Sequence, residues 1–309
     1  MNDYKRKRLD FINRWPDSDL FEAEKNYISR CDAFINENNI QPFMPMHMWY
    51  ESDKEYNIAL SRIIECLESM PYNPHHAFSQ AFICFDLYSE KYISDNITER
   101  IKMVVERVFV LSQQHTNIDQ MFSHLFSSFP MQVALFVYKS LFQDFSLSKK
   151  VYNRIINDSN NTINVTRKAL LDDLYAKFGY DNNNYSNSIR KGAALIRKIF
   201  VEDTIVLCSN TYKINHQIRL HILLSGFLYS LRNCSMHGDS ISTTKSSRTS
   251  PERYALNYYA FLCQYCICIL MLIDKSSILS DKNTTYNDLI KTMNNNTCNM
   301  KLLFGSHMG

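Results

Sequence analysis

Residues 223–238 read LLSGFLYSLRNCSMHG, and this stretch decides the fold. Its first nine residues are apolar enough for the buried face of a helix, and Gly238 is a natural helix stop. Between them stands a polar end, Arg232-Asn233-Cys234-Ser235-Met236-His237. At about 100° per residue, Asn233 and His237 lie about 40° apart on a helix, and Arg232 about 140° from His237. Amide and imidazole therefore share a face, with the arginine flanking it. Arginine offers phosphate oxygens a fixed fork of donors, and histidine moves protons near neutral pH. The macrodipole at a helix C-terminus favours the imidazolium and the nearby Arg232 opposes it, which suits general acid–base work. The plain alternative is a polar helix end with a glycine cap.

Working outward, the chain reads as helical throughout. Glycine and proline are scarce among the 309 residues, with 6 and 7 copies, so few positions force a break. Apolar residues recur at helical intervals over 20–36, 54–69, 76–91, 97–113, 117–126 and 131–145, with proline-bearing joints between several of them. Helices are expected again at 165–178, 188–207, 215–236 and 251–273, a set of four that suits an antiparallel bundle. Ser250-Pro251-Glu252 is a good start for the last of them. Asparagine clusters at 157–164, 182–187 and 294–296 read as loops, and the first is the expected domain boundary. The expectation is an all-α protein: an N-terminal helical region over 1–156, whose role is unassigned, and a C-terminal bundle over 157–304. Residues 305–309, GSHMG, resemble a cloning scar.

Composition narrows the function classes. A net charge of +3 excludes a global polycation, so any nucleic-acid contact must come from local patches. Nine cysteines without disulfide-framework spacing fit a reduced cytoplasmic protein. Cys263, Cys266 and Cys268 invite a metal reading, but no second Cys/His pair at finger spacing accompanies them, so they read as core. The apolar run YYAFLCQYCICILMLI at 258–273 falls short of the ~20 residues that span a bilayer and reads as a buried or dimer-facing helix. Lys5 to Arg8 precede no apolar segment and do not form a secretory signal. His216 and His221 read as ordinary surface or core histidines.

The string Arg232-Asn233-x-x-x-His237-Gly238, ending the third helix of a four-helix unit, resembles the signature of the HEPN superfamily of RNA-processing domains. The Tyr-rich apolar helix that follows adds to the likeness, which covers about residues 160–275. The resemblance implies a HEPN-type bundle and metal-independent endoribonuclease activity, with no cofactor, from a composite site built at a homodimer interface. Arg232, Asn233 and His237 would be catalytic. It also implies a toxin or phage-defence effector, with a regulatory partner protein as a further expectation. Where some toxins of the superfamily carry a modified tyrosine, two positions after the histidine, this chain has Asp239.

Candidate RNA contacts follow from position. Lys245 and Arg248 lie in the polar joint directly after His237, and Arg197-Lys198, at helical spacing from Arg190-Lys191, form a basic stripe. The bland reading of such a stripe is a solvated helix face. The competing function is a non-enzymatic helical module that binds a protein or nucleotide.

Overall fold

A computed structural model of the chain describes residues 3–142, 149–179, 185–236, 244 and 246–309. In chain order the helices are α1 (Asp3–Asn13), α2 (Glu22–Asn38), α3 (Lys54–Ser69), α4 (Pro74–Tyr92), α5 (Ile97–Gln114), α6 (Thr116–Ser127), α7 (Met131–Phe142), α8 (Lys150–Ile156), α9 (Val165–Phe178) and α10 (Tyr185–Val201). Then come a hairpin, β1 (Thr204–Leu207) and β2 (Asn210–Lys213), and a long helix in three parts. These are α11 (His216–His221), a π-helical stretch Ile222–Leu228, and α12 (Tyr229–Met236). The helices α13 (Pro251–Lys275) and α14 (Lys282–Phe304) complete the chain, with a short 3₁₀ turn at Gly305–Met308.

Helix α13 is the axis. Every residue from Tyr254 to Ile273 is buried, between α4 on one side and α14 on the other. It is long and apolar enough to cross a membrane, and its apolar window is wholly buried inside the protein. Each large apolar side chain so buried stabilises the fold by about 1.5–3 kcal/mol relative to exposure. One core takes Phe78 and Phe82 from α4 together with Leu231, Phe261 and Met300 from the C-terminal half. The final turn is packed too: His307 Nδ1 lies 2.7 Å from Glu252 Oε1.

Asparagine does more here than mark loops. Asn73, Asn96, Asn164 and Asn215 each accept a backbone N–H in the first turn of α4, α5, α9 and α11, a bond worth about 1 kcal/mol. Ser250 holds the corresponding place before α13 but makes no such side-chain bond. The expected loop at 294–296 lies instead inside α14. There Asn296 is fully buried, and its amide pairs with the backbone of Met44 in both directions, at 2.9 Å and 2.8 Å. The proline-bearing segment 41–46 is thereby strapped across α13 and α14, with Phe43 set edge-on against Phe261 and Tyr265.

Two other expectations need correction. The helix expected over 188–207 ends at Val201, and Thr204–Leu207 pairs antiparallel with Asn210–Lys213. Both central turn residues, Cys208 and Ser209, take positive φ (48° and 67°), the geometry that matches strand twist in a two-residue hairpin. The helix over 215–236 is continuous but not regular. Its π stretch lies where Gly226 meets α8 so closely that a Cβ would sit 2.9 Å from Ile155 Cδ1. Such stretches recur beside functional sites.

Candidate active site

The polar end of the long helix is the last turn of α12. Leu231, on its inner face, is buried and fixes the rotation of that turn against the core. Arg232 is half-buried beside it. Its Nη1 donates to Asn233 Oδ1 at 3.1 Å, and its guanidinium lies over the Phe82 ring of α4, 5.7 Å from the centroid. A cation so placed gains about 0.5–1 kcal/mol or more as water is excluded. Phe82 in turn stacks on Tyr229, at 6.4 Å and 16°. Arg154 of α8 covers Tyr229 at 4.7 Å and donates to Ser230 Oγ at 2.9 Å. Two guanidinium groups thus bracket a pair of rings, and Arg232 is held by the N-terminal half of the chain.

The hydrogen bond decides what Asn233 can still offer. Its carbonyl oxygen is engaged by Arg232, which leaves the amide NH₂ as the donor side for a ligand. Asp86 lines the same small pocket as Phe78, Phe82, Arg232 and Ser235, but its carboxylate is paired with the buried Arg100. That pairing spares Arg232 a competing anion. The pocket holds about 30 Å³, room for a water and not for a nucleotide. Asn233 does not line it, so this cavity backs Arg232 and is not itself the place for a ligand.

The other expected site residues separate. His237 and Lys245 lie outside the described residues, as do Gly238 and Asp239. Arg248 is exposed, and its guanidinium stacks on the Tyr4 ring of α1 at 4.9 Å. Arg197 and Lys198 stand near the opposite end of the long helix. Ile199, next to them, accepts a hydrogen bond from Arg219 at 2.9 Å, and Arg219 precedes Arg232 by thirteen residues, about 20 Å of helix. Lys198 is also paired with Glu202 at 3.5 Å. Within one chain the Arg197-Lys198 stripe is not beside Arg232.

Two histidine clusters escaped the reading of the sequence, because their partners come from distant helices. His216 has Ser123 Oγ 3.2 Å from Nε2 and Asp119 Oδ1 2.8 Å from Nδ1. The order resembles nucleophile, base and acid, but the Nδ1 contact lacks hydrogen-bond alignment. The imidazole is thus not fixed in one tautomer as acyl transfer requires. Burial lowers its pKa, with Asp119 opposing. His221 is fully buried near Arg167, Lys102 and Asp158, the last 3.9 Å from Nε2. Burial first, then the two cations, holds its pKa far below the usual value, so it is neutral. Arg167 bonds Asp158 at 2.6 Å and Lys102 bonds Asn161 at 2.9 Å. This cluster ties α5, α9 and α11 together. Cys263 and Cys266 sit inside the core, where burial pushes both thiols up.

Of known proteins, no family model matches the chain, and no curated protein or solved structure matches it either.

Proposed function

We propose that the chain is a metal-independent RNA endonuclease of HEPN type, working as a homodimer with Arg232, Asn233 and His237 as its catalytic residues. The observation that carries this reading is the Arg232–Asn233 pair on the last turn of α12, backed by the Phe82 ring and followed four residues after Asn233 by His237. Attack by the RNA's own 2′-hydroxyl needs a base at that hydroxyl and an acid at the leaving 5′-oxygen. One chain supplies one histidine of this motif, and a two-fold dimer supplies two, one for each task. Arg232 from both chains then stabilises the charge that builds on the phosphorane-like transition state. The amide NH₂ of Asn233 holds a phosphate oxygen.

A toxin or phage-defence role follows from the resemblance alone, and a regulatory partner protein belongs to the same reading. An RNA target and nine free cysteines fit a reducing cytoplasm. The test is cleavage of RNA in EDTA by the parent and by His237→Ala, with the ends of the products analysed. The parent is expected to leave 2′,3′-cyclic phosphates and the variant to lose at least about 10²-fold in rate with its fold intact. Equal cleavage by both removes the nuclease reading and leaves a non-enzymatic binding module.

A further inference from the structure

Helix α1 contributes nothing to the core: none of its residues is buried. It is nevertheless fixed in place, and the place matters. Ser247 Oγ donates to Tyr4 O at 2.8 Å, Arg248 covers the Tyr4 ring, and Phe11 stacks on Phe21 at 5.1 Å. Ser247 and Arg248 belong to the joint that links His237 to α13. Seven residues separate Met236 from Thr244, a reach over eight Cα steps of at most about 28 Å. Helix α1 is therefore anchored to the same joint that carries the candidate histidine.

Its charge is one-sided. Lys5, Arg6, Lys7, Arg8 and Arg14 face only Asp3 and Asp10 within residues 3–14. Asp3 is taken up by Arg6 at 3.4 Å and Lys7 at 3.2 Å. Lys5 is exposed, and Arg8 is half-buried with its Nε donating to Tyr4 O at 3.3 Å; neither has an ion pair among the described residues. Just past the end of the helix Trp15 is 73% exposed, a large apolar ring with no ring or cation stacked on it among the described residues. Cations interleaved with an uncovered aromatic ring suit single strands, whose phosphates take the charge and whose bases stack on the ring.

Building on the nuclease reading, we propose that α1 is a single-stranded RNA-binding arm that leads substrate to the site. Lys5, Arg8 and Arg248 grip phosphates, and Trp15 stacks on a base. The α1 surface adds to the site the electrostatic track that the distant Arg197-Lys198 stripe does not supply within one chain.

The test uses the full chain carrying His237→Ala, so that bound RNA is not consumed, and a fluorescein-labelled oligouridylate as probe. Adding Lys5→Ala and Arg8→Ala should raise Kd about tenfold and make the slope of log K against log salt shallower by about 1.4, for two lost phosphate contacts. The chain has two tryptophans, and Trp49 is half-buried with its Nε1–H bonded to Glu51 at 3.0 Å. RNA should therefore quench mainly Trp15 emission, and Trp15→Phe should abolish that quenching. An unchanged Kd and slope overturn the arm, while intact cleavage by the parent would leave the nuclease standing. Tighter binding without the two cations also overturns it, since α1 would then cover the site. So does binding to phosphatidylserine vesicles that depends on Lys5 and Arg8 when RNA binding does not. Failure of the His237→Ala chain to bind RNA at all, with no cleavage by the parent, overturns both proposals.

Discussion

His221 shows how much a single buried side chain sets the conditions under which this fold survives. Its imidazole is neutral in the folded chain because burial, Arg167 and Lys102 all oppose a proton. In the unfolded chain it titrates near 6.5. The unfolded state therefore takes up a proton first as pH falls. The stability is fully present above about pH 6.5 and is lost below it, by up to about 1.4 kcal/mol per pH unit, until the folded value is reached. Urea unfolding at pH 7, 6 and 5 should show this loss, and His221→Gln should remove most of its slope. An unchanged slope in the variant would assign the acid sensitivity elsewhere, for instance to His75, which burial also lowers. Nothing in the sequence marks His221 out, since the residues that depress it come from α5 and α9. Arg232 and Asn233 were legible because their signal is local: residue type, spacing and the end of an apolar run. The Phe82 ring behind Arg232 was not, because it lies 150 positions away.

Elements were legible where periodicity and punctuation agreed. Helix α3 runs over the residues that its apolar spacing and the prolines after it indicate, and α9 runs over the expected 165–178, between the asparagine cluster and Gly179. Helix α14 was missed because its polar composition, KNTTYNDLIKTMNNNTCNM, hides a thin apolar stripe of Tyr286, Leu289, Met293 and Met300. Its asparagines have tertiary work to do: Asn294 meets His124 at 3.2 Å and Asn296 pairs with Met44. The hairpin was missed because its turn is Cys208-Ser209, without the glycine or asparagine that usually signals positive φ. At this scale the strap over 41–46 gives a sharp prediction. Asn296→Ala removes both hydrogen bonds to the backbone of Met44, each worth about 0.5–1.5 kcal/mol net, since Met44 is itself 48% exposed and water can reach it. A loss of about 1–3 kcal/mol in unfolding free energy is expected, with faster amide exchange in 43–46. A change under about 0.5 kcal/mol would mean that water replaces the amide and that the strap is not held by Asn296.

At the scale of the whole molecule, the two regions of the sequence meet at the candidate site. Helix α4 supplies the ring under Arg232 and packs along α13. Helix α1 is tethered to the joint after the motif. The N-terminal region thus backs the Arg232 end of the motif, and this follows from long-range packing that local patterns do not encode. The central claim is that two histidines, one from each chain, act in one site. It is tested most directly by mixing the parent with an equal amount of His237→Ala under conditions where subunits exchange, and measuring RNA cleavage in EDTA. If each site needs both imidazoles, only parental homodimers cut, and the mixture should show about a quarter of the activity of the same total protein as parent. A value of about one half would mean that each parental chain cuts alone, and would contradict the account.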